Sequence, residues 1–516
     1  VKASSALVAA AGALALGGAA PIPASDGPRP PGAAQAAACE GIRDLKLPAV
    51  RIDAATPAPP QTGWAPEPGV RPVTVKAPFC RVQGTIETEI GFELWLPEPA
   101  AWNGKFLGAG VGGDAGTFNF QDLPRGVARG YASATTDTGH KASDRTWMLG
   151  DPMRLTNYAL RGNHRLAEVS KAIVASYYGR PARLSYFIGC SGGGRQGLKE
   201  MQRFPEDYDG VIAGAPGPDT AEMTARRMWE IIQRESHPGL MSPADWKLVA
   251  DRGVRDCDRL DGVVDGVAED PRRCRFDPGV LQCRAGQSAD CLSPAQVALA
   301  RAIYAPLKDE TGKQLDGGLL AGVLVDSGRS RLAPATFGQA IRRRPDWNGE
   351  DFNLSKDLPA IDKAIPELKA DDVRLEPFRD RGGKAIIYQG WIDPAVASRM
   401  TTDYFERLEK AMGGPARASR FLRLYMAPGV LHCGGGPGPD RFGGAGDDAP
   451  IVDADHDLLS ALERWIERGV APDRIVASKV EAGRVVRTRP LCPYPQRARY
   501  VGRGSTDDAA NFRCSR

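Results

Sequence analysis

Histidine is scarce in this chain: five occur in 516 residues, at positions 140, 164, 237, 432 and 456. Any chemistry that needs an imidazole base has few places to find one. No two cysteines are spaced C-x-x-C, which leaves zinc-ribbon and thioredoxin-type readings without support. A surplus of one charge is also missing. The net charge is +4 with 25% charged residues, and the arginines are scattered rather than striped, so nothing points to nucleic acid. Arg342-Arg343-Arg344 reads as a solvated turn. No internal repeat is present, and beyond the N-terminus no apolar run is long enough to cross a bilayer.

The N-terminus has a composition of its own. After Lys2, the segment from Ala3 to Ala20 is small and apolar, and Pro- and Ala-rich sequence follows to Ala38. This pattern predicts a secretory signal and leader over residues 1–38, with Ala24 and Ala36 to Ala38 as rival cleavage points. Ten cysteines agree with export to the periplasm or the medium, where disulfides are the default. Proximity favours Cys257–Cys274, Cys283–Cys291 and Cys492–Cys514, because short loops close at lower entropic cost. The sequence specifies no oligomeric state.

Strands alternate with helical patterns over two stretches. Ile86 to Leu96 alternates, Lys105 to Leu107 opens a strand, Asn157 to Tyr178 reads as an amphipathic helix, and Leu184 to Ile188 and Gly210 to Ala213 are short apolar strands. Between about Gly217 and Gly382 the rhythm breaks into cysteines, prolines and helices. It resumes with a strand at Ala385 to Tyr388, a helix at Ala397 to Met412, a strand at Phe421 to Met426 and a helix at Asp455 to Arg468. The expected architecture is an α/β-hydrolase core (39–216 and 383–516) with a large inserted lid domain (217–382).

Between the strand at Leu184 to Ile188 and a helix expected over Arg195 to Phe204 lies Gly189-Cys190-Ser191-Gly192-Gly193, which is G-x-S-x-G. In that context it is a nucleophile elbow, a turn too tight for side chains at its flanks that exposes the serine hydroxyl. In such folds an acid and then a histidine follow the serine, each on a loop after a strand. His432, in G-V-L-H-C-G-G-G, fits the base, with His456 as the rival. Asp393, in Q-G-W-I-D-P, fits the acid, and an N-cap for the next helix is its structural alternative. Cys190 precedes the serine and Cys433 follows the histidine, so contact between Ser191 and His432 would bring the two sulfurs within bridging distance. The oxyanion hole is expected from the N–H of Gly192 and one from the glycine loop 108–113, with Gly112 the choice and Gly110 and Gly113 beside it. Asp258, Asp261 and Asp265 form an oxygen-rich loop suited to calcium or a solvated acidic turn; the spacing is not that of an EF-hand.

These residues resemble the tannase and feruloyl esterase family, which also includes terephthalate-monoester hydrolases. The matching segments are G-C-S-G-G-G-R-Q-G-L, R-F-P-E-D-Y-D-G-V-I-A-G-A-P, T-T-D-T-G-H, G-G-K-A-I-I-Y-Q-G-W-I-D-P and H-C. The resemblance implies the disulfides Cys190–Cys433, Cys39–Cys80, Cys257–Cys274, Cys283–Cys291 and Cys492–Cys514. It also implies a structural Ca2+ held in the lid by Asp258, Asp261, Asp265 and the carbonyls of Val263 and Val267. The implied activity is that of an exported serine esterase acting on small aromatic esters, feruloyl or galloyl rather than terephthalate. Val396 stands where the terephthalate-monoester enzymes present a phenylalanine to the ring. Arg226, Arg227, Trp229, Trp246, Trp347 and Phe352 are the lid candidates for a ring or carboxylate contact. A non-catalytic binding protein would have no reason to keep serine, acid, base and glycine loop together; an adhesive calcium module would need repeated acidic loops; nothing marks a peptide pocket.

Overall fold

The structure is a computed structural model and describes residues 32–325 and 331–516. Most of the expected leader lies outside the described residues; residues 33–38 open the helix α1 (Ala33–Gly41). Nine strands make the main sheet: β1 (Val50–Ala58), β2 (Phe79–Ile86), β3 (Ile90–Pro97), β4 (Lys105–Ala109), β5 (Ala132–Thr136), β6 (Leu184–Cys190), β7 (Gly210–Gly214), β8 (Lys384–Gly390) and β9 (Leu422–Ala427). Their order is β1-β2-β3-β5-β4-β6-β7-β8-β9. β1, β2, β3 and β5 pair antiparallel, and from β5 to β9 every pairing is parallel.

The parallel strands are short apolar runs because both sheet faces are covered. Successive residues go to opposite faces. Phe187, Val211, Ala385 and Ile387 join one core cluster. Tyr186, Ile188, Ile212, Ile386 and Tyr388 join the other, against α8 (Leu458–Arg468). The remaining helices used below are α2 (Gly162–Tyr178), α3 (Gly192–Arg203), α4 (Thr220–Glu235), α5 (Pro243–Asp258), α6 (Pro294–Tyr304) and α7 (Ser398–Ala411). Each position of the sequence reading has an element near it, but several boundaries move. The strand expected over Ile86 to Leu96 is split by a turn at 87–89 into the end of β2 and a β3 that is buried on both faces, and the helix expected from Asp455 starts at Leu458. The helix expected at Asn157 begins with a π-turn over Asn157–Arg161 before α2. The helix expected at Arg195 begins at Gly192, immediately after Ser191. Three glycines are poor helix formers, yet here close packing requires them: a Cβ on Gly194 would stand 2.1 Å from the Gly214 carbonyl oxygen.

The segment between β7 and β8 forms the lid-like elaboration, with α4, α5 and α6 around their own apolar cluster of Trp246, Val249, Ile303 and Tyr304. A second cluster joins the lid to the core, packing Ala225, Met228, Phe337 and Trp347 against Val111, Trp147 and Tyr158. Arg343 and Arg344 are exposed, as a solvated turn requires, but Arg342 is not. Arg342 pairs with Asp351 and Asp357 and lies 4.2 Å over Trp347, while Arg343 donates to the carbonyls of Met148 and Leu149 in the core. Past α8, two hairpins, β10–β11 (Ile475–Glu481, Arg484–Leu491) and β12–β13 (Arg497–Tyr500, Phe512–Ser515), complete the chain. Among the described residues no helix is long and apolar enough to cross a membrane.

Candidate active site

Parallel register brings Cys190 opposite Gly214 and Gly214 opposite Tyr388, so β6 and β7 end together and β8 runs two residues further at the same sheet edge. Loops leaving that edge share a crevice. Ser191 is the first residue past β6, with φ 61° and ψ −124°. That strained backbone costs about 1–3 kcal/mol and persists because the surroundings hold it. Its N–H donates to Gly214 O at 2.9 Å. A Cβ on Gly189 would stand 2.5 Å from Gly193 O, which is why the turn has no side chains at its flanks.

Asp393 follows β8 and is fully buried. Its Oδ1 accepts the N–H groups of Ala395 and Val396 at 2.7 and 3.0 Å, shaping the turn before α7. Its Oδ2 accepts Gln389 Nε2 at 2.8 Å and His432 Nδ1–H at 2.8 Å. One oxygen therefore makes the turn and the other holds the imidazole. With Nδ1 keeping its proton and donating it to the carboxylate, the lone pair of His432 is on Nε2. Gln389 is itself fixed by Thr401, whose hydroxyl donates to Oε1 at 2.8 Å. Neither glutamine nor threonine stood out in the sequence; the only signal was Gln389 four residues before the acid.

The structure bonds Cys190 to Cys433 with a Cα–Cα distance of 5.9 Å, which ties the serine loop to the histidine loop. Cys39–Cys80, Cys257–Cys274, Cys283–Cys291 and Cys492–Cys514 are the other disulfides. The glycine loop after β4 lies against the elbow: a Cβ on Gly112 would be 3.9 Å from Ser191 Cβ. The N–H of Gly192 lies in the first turn of α3, where an amide has no intrahelical acceptor.

The other histidines stay apart from this cluster. His456 is bonded through Nδ1 to Asp453 at 2.7 Å before α8. His164 meets Asp207 at 2.6 Å and stacks on Phe204, and His237 pairs with the Gln233 carbonyl. His140 is buried and stacks on Trp147 at 3.8 Å, and burial pulls it down to about 4.

Of the lid candidates, Arg226 is committed elsewhere: it is buried and bonded to Glu230, Asp316 and the Ile303 carbonyl. Arg227 pairs with Glu230, and Trp246 sits in the lid's own core, beside which Trp229 packs. Trp347 lines a 340 Å³ pocket between core and lid together with Asp114, Arg145, Trp147, Arg331 and Gln339, and Phe352 packs behind it. Val396 is buried near Gly217. The acidic loop after α5 is compact. Asp258 accepts the N–H groups of Asp265, Gly266 and Val267 at 3.0–3.3 Å. Asp261 accepts those of Val263 and Glu269, and Asp265 pairs with Arg489. Among the described residues no group of three such side chains stands at metal-holding spacing. The donor chemistry nevertheless fits calcium, being all hard oxygen with lone pairs to spare. The buried Glu269 Oε2 beside the loop has no hydrogen-bond partner, and the nearby charge facing it is Arg489 at 3.8 Å, which also pairs with Asp265.

A parallel sheet whose strand ends carry Ser191, Asp393 and His432 in that chain order defines an α/β-hydrolase. The chain belongs to the tannase and feruloyl esterase family, whose model it matches over residues 73–326 and 351–515, and it is accordingly an esterase. An uncharacterized esterase of Xanthomonas campestris pv. campestris is 35% identical, with 93% of this chain and 92% of that one covered. A mono(2-hydroxyethyl) terephthalate hydrolase of Piscinibacter sakaiensis is 33% identical, with 93% and 92% covered. The crystal structure of feruloyl esterase B from Aspergillus oryzae superposes with a TM-score of 0.87 at 27% identity, covering 93% of this chain and 100% of that one.

Proposed function

We propose that this esterase hydrolyses carboxylic esters of hydroxylated aromatic acids, feruloyl or galloyl in type, through an acyl-enzyme on Ser191. The observation that carries the reading is the Asp393–His432 pair locked beside Ser191 by Cys190–Cys433. His432 Nε2 takes the proton from Ser191 Oγ as the oxygen attacks the ester carbonyl. The N–H groups of Gly192 and Gly112 receive the oxyanion. The imidazolium then gives its proton to the departing alkoxide, and a water activated by the same nitrogen releases the acid. The core–lid pocket begins at Asp114, next to the glycine loop, and the indoles in its wall suit an aromatic group. Its acidic Asp114 and the Gln339 carboxamide suit phenolic hydroxyl donors, and the valine at 396 agrees with that preference over terephthalate.

The five disulfides support an oxidising compartment outside the cytoplasm, reached through the leader over residues 1–38. Asp258, Asp261 and Asp265, with the carbonyls of Val263 and Val267, would hold one Ca2+. When bound, the ion supplies charge neutralisation to the loop, and no step of hydrolysis passes through it.

The test is steady-state and burst hydrolysis of methyl ferulate, methyl gallate and mono(2-hydroxyethyl) terephthalate by the wild type and Ser191→Ala. Turnover of the phenolic esters that Ser191→Ala abolishes is expected. A terephthalate monoester ranking first would overturn the substrate assignment, and no turnover by folded wild type would overturn the whole reading.

A further inference from the structure

The glycine loop that would receive the oxyanion is anchored by one buried side chain, Val111, and the glycines at 110, 112 and 113 have none, so their backbone has to be held by hydrogen bonds. The backbone bonds of the loop can be followed group by group. The N–H of Gly110 donates to Ile188 O at 2.8 Å, and the Gly110 carbonyl accepts Asn119 Nδ2 at 2.8 Å. At Val111 both groups go to one side chain: its N–H donates to Gln196 Oε1 at 2.9 Å, and its carbonyl accepts Gln196 Nε2 at 3.3 Å. The Gly112 carbonyl accepts the N–H of Ala115 at 3.1 Å, and the Gly113 carbonyl accepts the Tyr158 hydroxyl at 3.3 Å. Among the described residues, the N–H of Gly112 is left without a protein acceptor.

Gln196 is buried and belongs to α3, the helix that starts at the nucleophile. Its carboxamide pairs with the Val111 peptide as a neighbouring strand would, donor to acceptor and acceptor to donor. Gln196 is thereby attached to the helix that sets Ser191 and to the residue before Gly112. The neighbouring Arg195 strengthens the same connection: its guanidinium donates to Ala159 O at 2.9 Å and Tyr158 O at 3.1 Å, carbonyls of the π-turn, and lies 4.9 Å over the Tyr158 ring.

We infer that Gln196 is a positioning residue for the oxyanion hole, holding the Val111–Gly112 peptide at a set distance from Ser191 so that the Gly112 N–H meets the developing oxyanion. The inference rests on the acyl-enzyme reading of Ser191. Gln196 touches no substrate atom. Its contribution is realised in the transition state, where the donor has to lie at hydrogen-bond distance from the oxyanion and not merely near the ground-state carbonyl.

The experiment compares Gln196→Met, Gln196→Glu and the wild type, with Gln202→Met as control. Gln202 lies on the same helix and donates to the carbonyls of Ala370 and Asp372, well away from the loop. Kinetics on the best ester would be measured alongside inhibition by a matching aryl trifluoromethyl ketone, whose serine adduct carries an oxyanion. Gln196→Met is expected to lose about 10- to 100-fold in kcat with KM within about twofold, because removing a whole oxyanion donor costs about 10²–10³. Affinity for the ketone should fall in parallel, while Gln202→Met keeps the wild-type kcat and ketone affinity. If Gln196→Met does not fold, Gln196→Glu, which keeps the bond to the Val111 N–H but cannot donate to its carbonyl, decides on the same readouts. A folded variant with wild-type kcat and ketone affinity would overturn the inference, as would losses no different from those of Gln202→Met. Wild type that fails to react with the ketone would instead remove the acyl-enzyme reading on which the inference rests.

Discussion

His140 closes the T-T-D-T-G-H segment without entering the reaction. It stacks on Trp147 inside the joint between core and lid, with the Asp114 main chain the backbone group it faces. Burial is the main cause of its descent from 6.5 to about 4; the Asp114 backbone bond opposes it most, Asp144 opposes it too, and Arg154 and Lys141 push the same way as burial. As pH falls, the unfolded chain takes up this proton first, so stability drops between pH 6.5 and 4 and His140 contributes no loss above that window. The shift corresponds to about 2 kcal/mol lost between pH 7 and 5 from this residue. Denaturant unfolding of the wild type and His140→Gln at the two pH values would check it. The variant should be less stable overall but lose less on acidification, and parallel losses would show that His140 does not titrate across this range. The sequence marked His140 as part of a segment shared with the family, but it had no means of showing that the ring is buried rather than catalytic.

Two elements meet at the nucleophile and come from distant parts of the chain. Cys190 ends β6 and Cys433 follows the loop after β9, 243 residues later. Cys433 has φ 65°, a conformation a non-glycine residue rarely adopts, so the bond also holds an unfavourable turn in place. Cys190→Ala/Cys433→Ala should leave the sheet intact, because Cys190 is only one small member at the edge of a large cluster and the other face does not include it, yet release the histidine loop from the serine. A loss of about 100-fold in kcat/KM is expected, since a 1 Å misplacement of a catalytic group costs that much. Ester kinetics beside far-UV circular dichroism would show it, and unchanged kinetics would mean that Asp393 alone positions His432. At this scale the elbow strand and helix were legible from apolar runs and glycines. The π-turn at Asn157–Arg161 was not, because its freed carbonyls are taken by Arg195, a contact between elements that no local pattern records.

The acidic loop joins the lid to the C-terminal hairpins. Asp265 pairs with Arg489 on β11, its carbonyl accepts Arg487, and the Cys492–Cys514 bond holds β11 to β13. A cation bound by the loop would therefore stabilise the lid and the chain end together. Chelation should lower the thermal midpoint, and calcium added back at about 100 times its Kd should restore about 2.7 kcal/mol. Scanning calorimetry with chelator, with calcium and with Asp261→Asn would decide the matter. A midpoint indifferent to all three would remove calcium from the account of this loop.

The sequence by itself determined the reaction class and the order of its parts. A glycine-flanked serine between strand and helix, an acid and a histidine each after a later strand, and the lack of any other well-placed histidine are all local or ordinal features. The α/β-hydrolase core with its insertion was legible for the same reason, since strand and helix periodicities are written along the chain. Only the tertiary structure decided which side chains support the site and which are spent elsewhere. Arg226 and Trp246 looked free in the sequence and are buried in the lid, Arg342 looked solvated and is held by Asp357 and Trp347, and Gln389 and Gln196 looked ordinary and hold the acid and the glycine loop. The physical reason is common to all of them. A buried polar group is satisfied by whatever packing brings within about 3 Å, and that partner is set by the way distant segments pack together rather than by spacing along the chain.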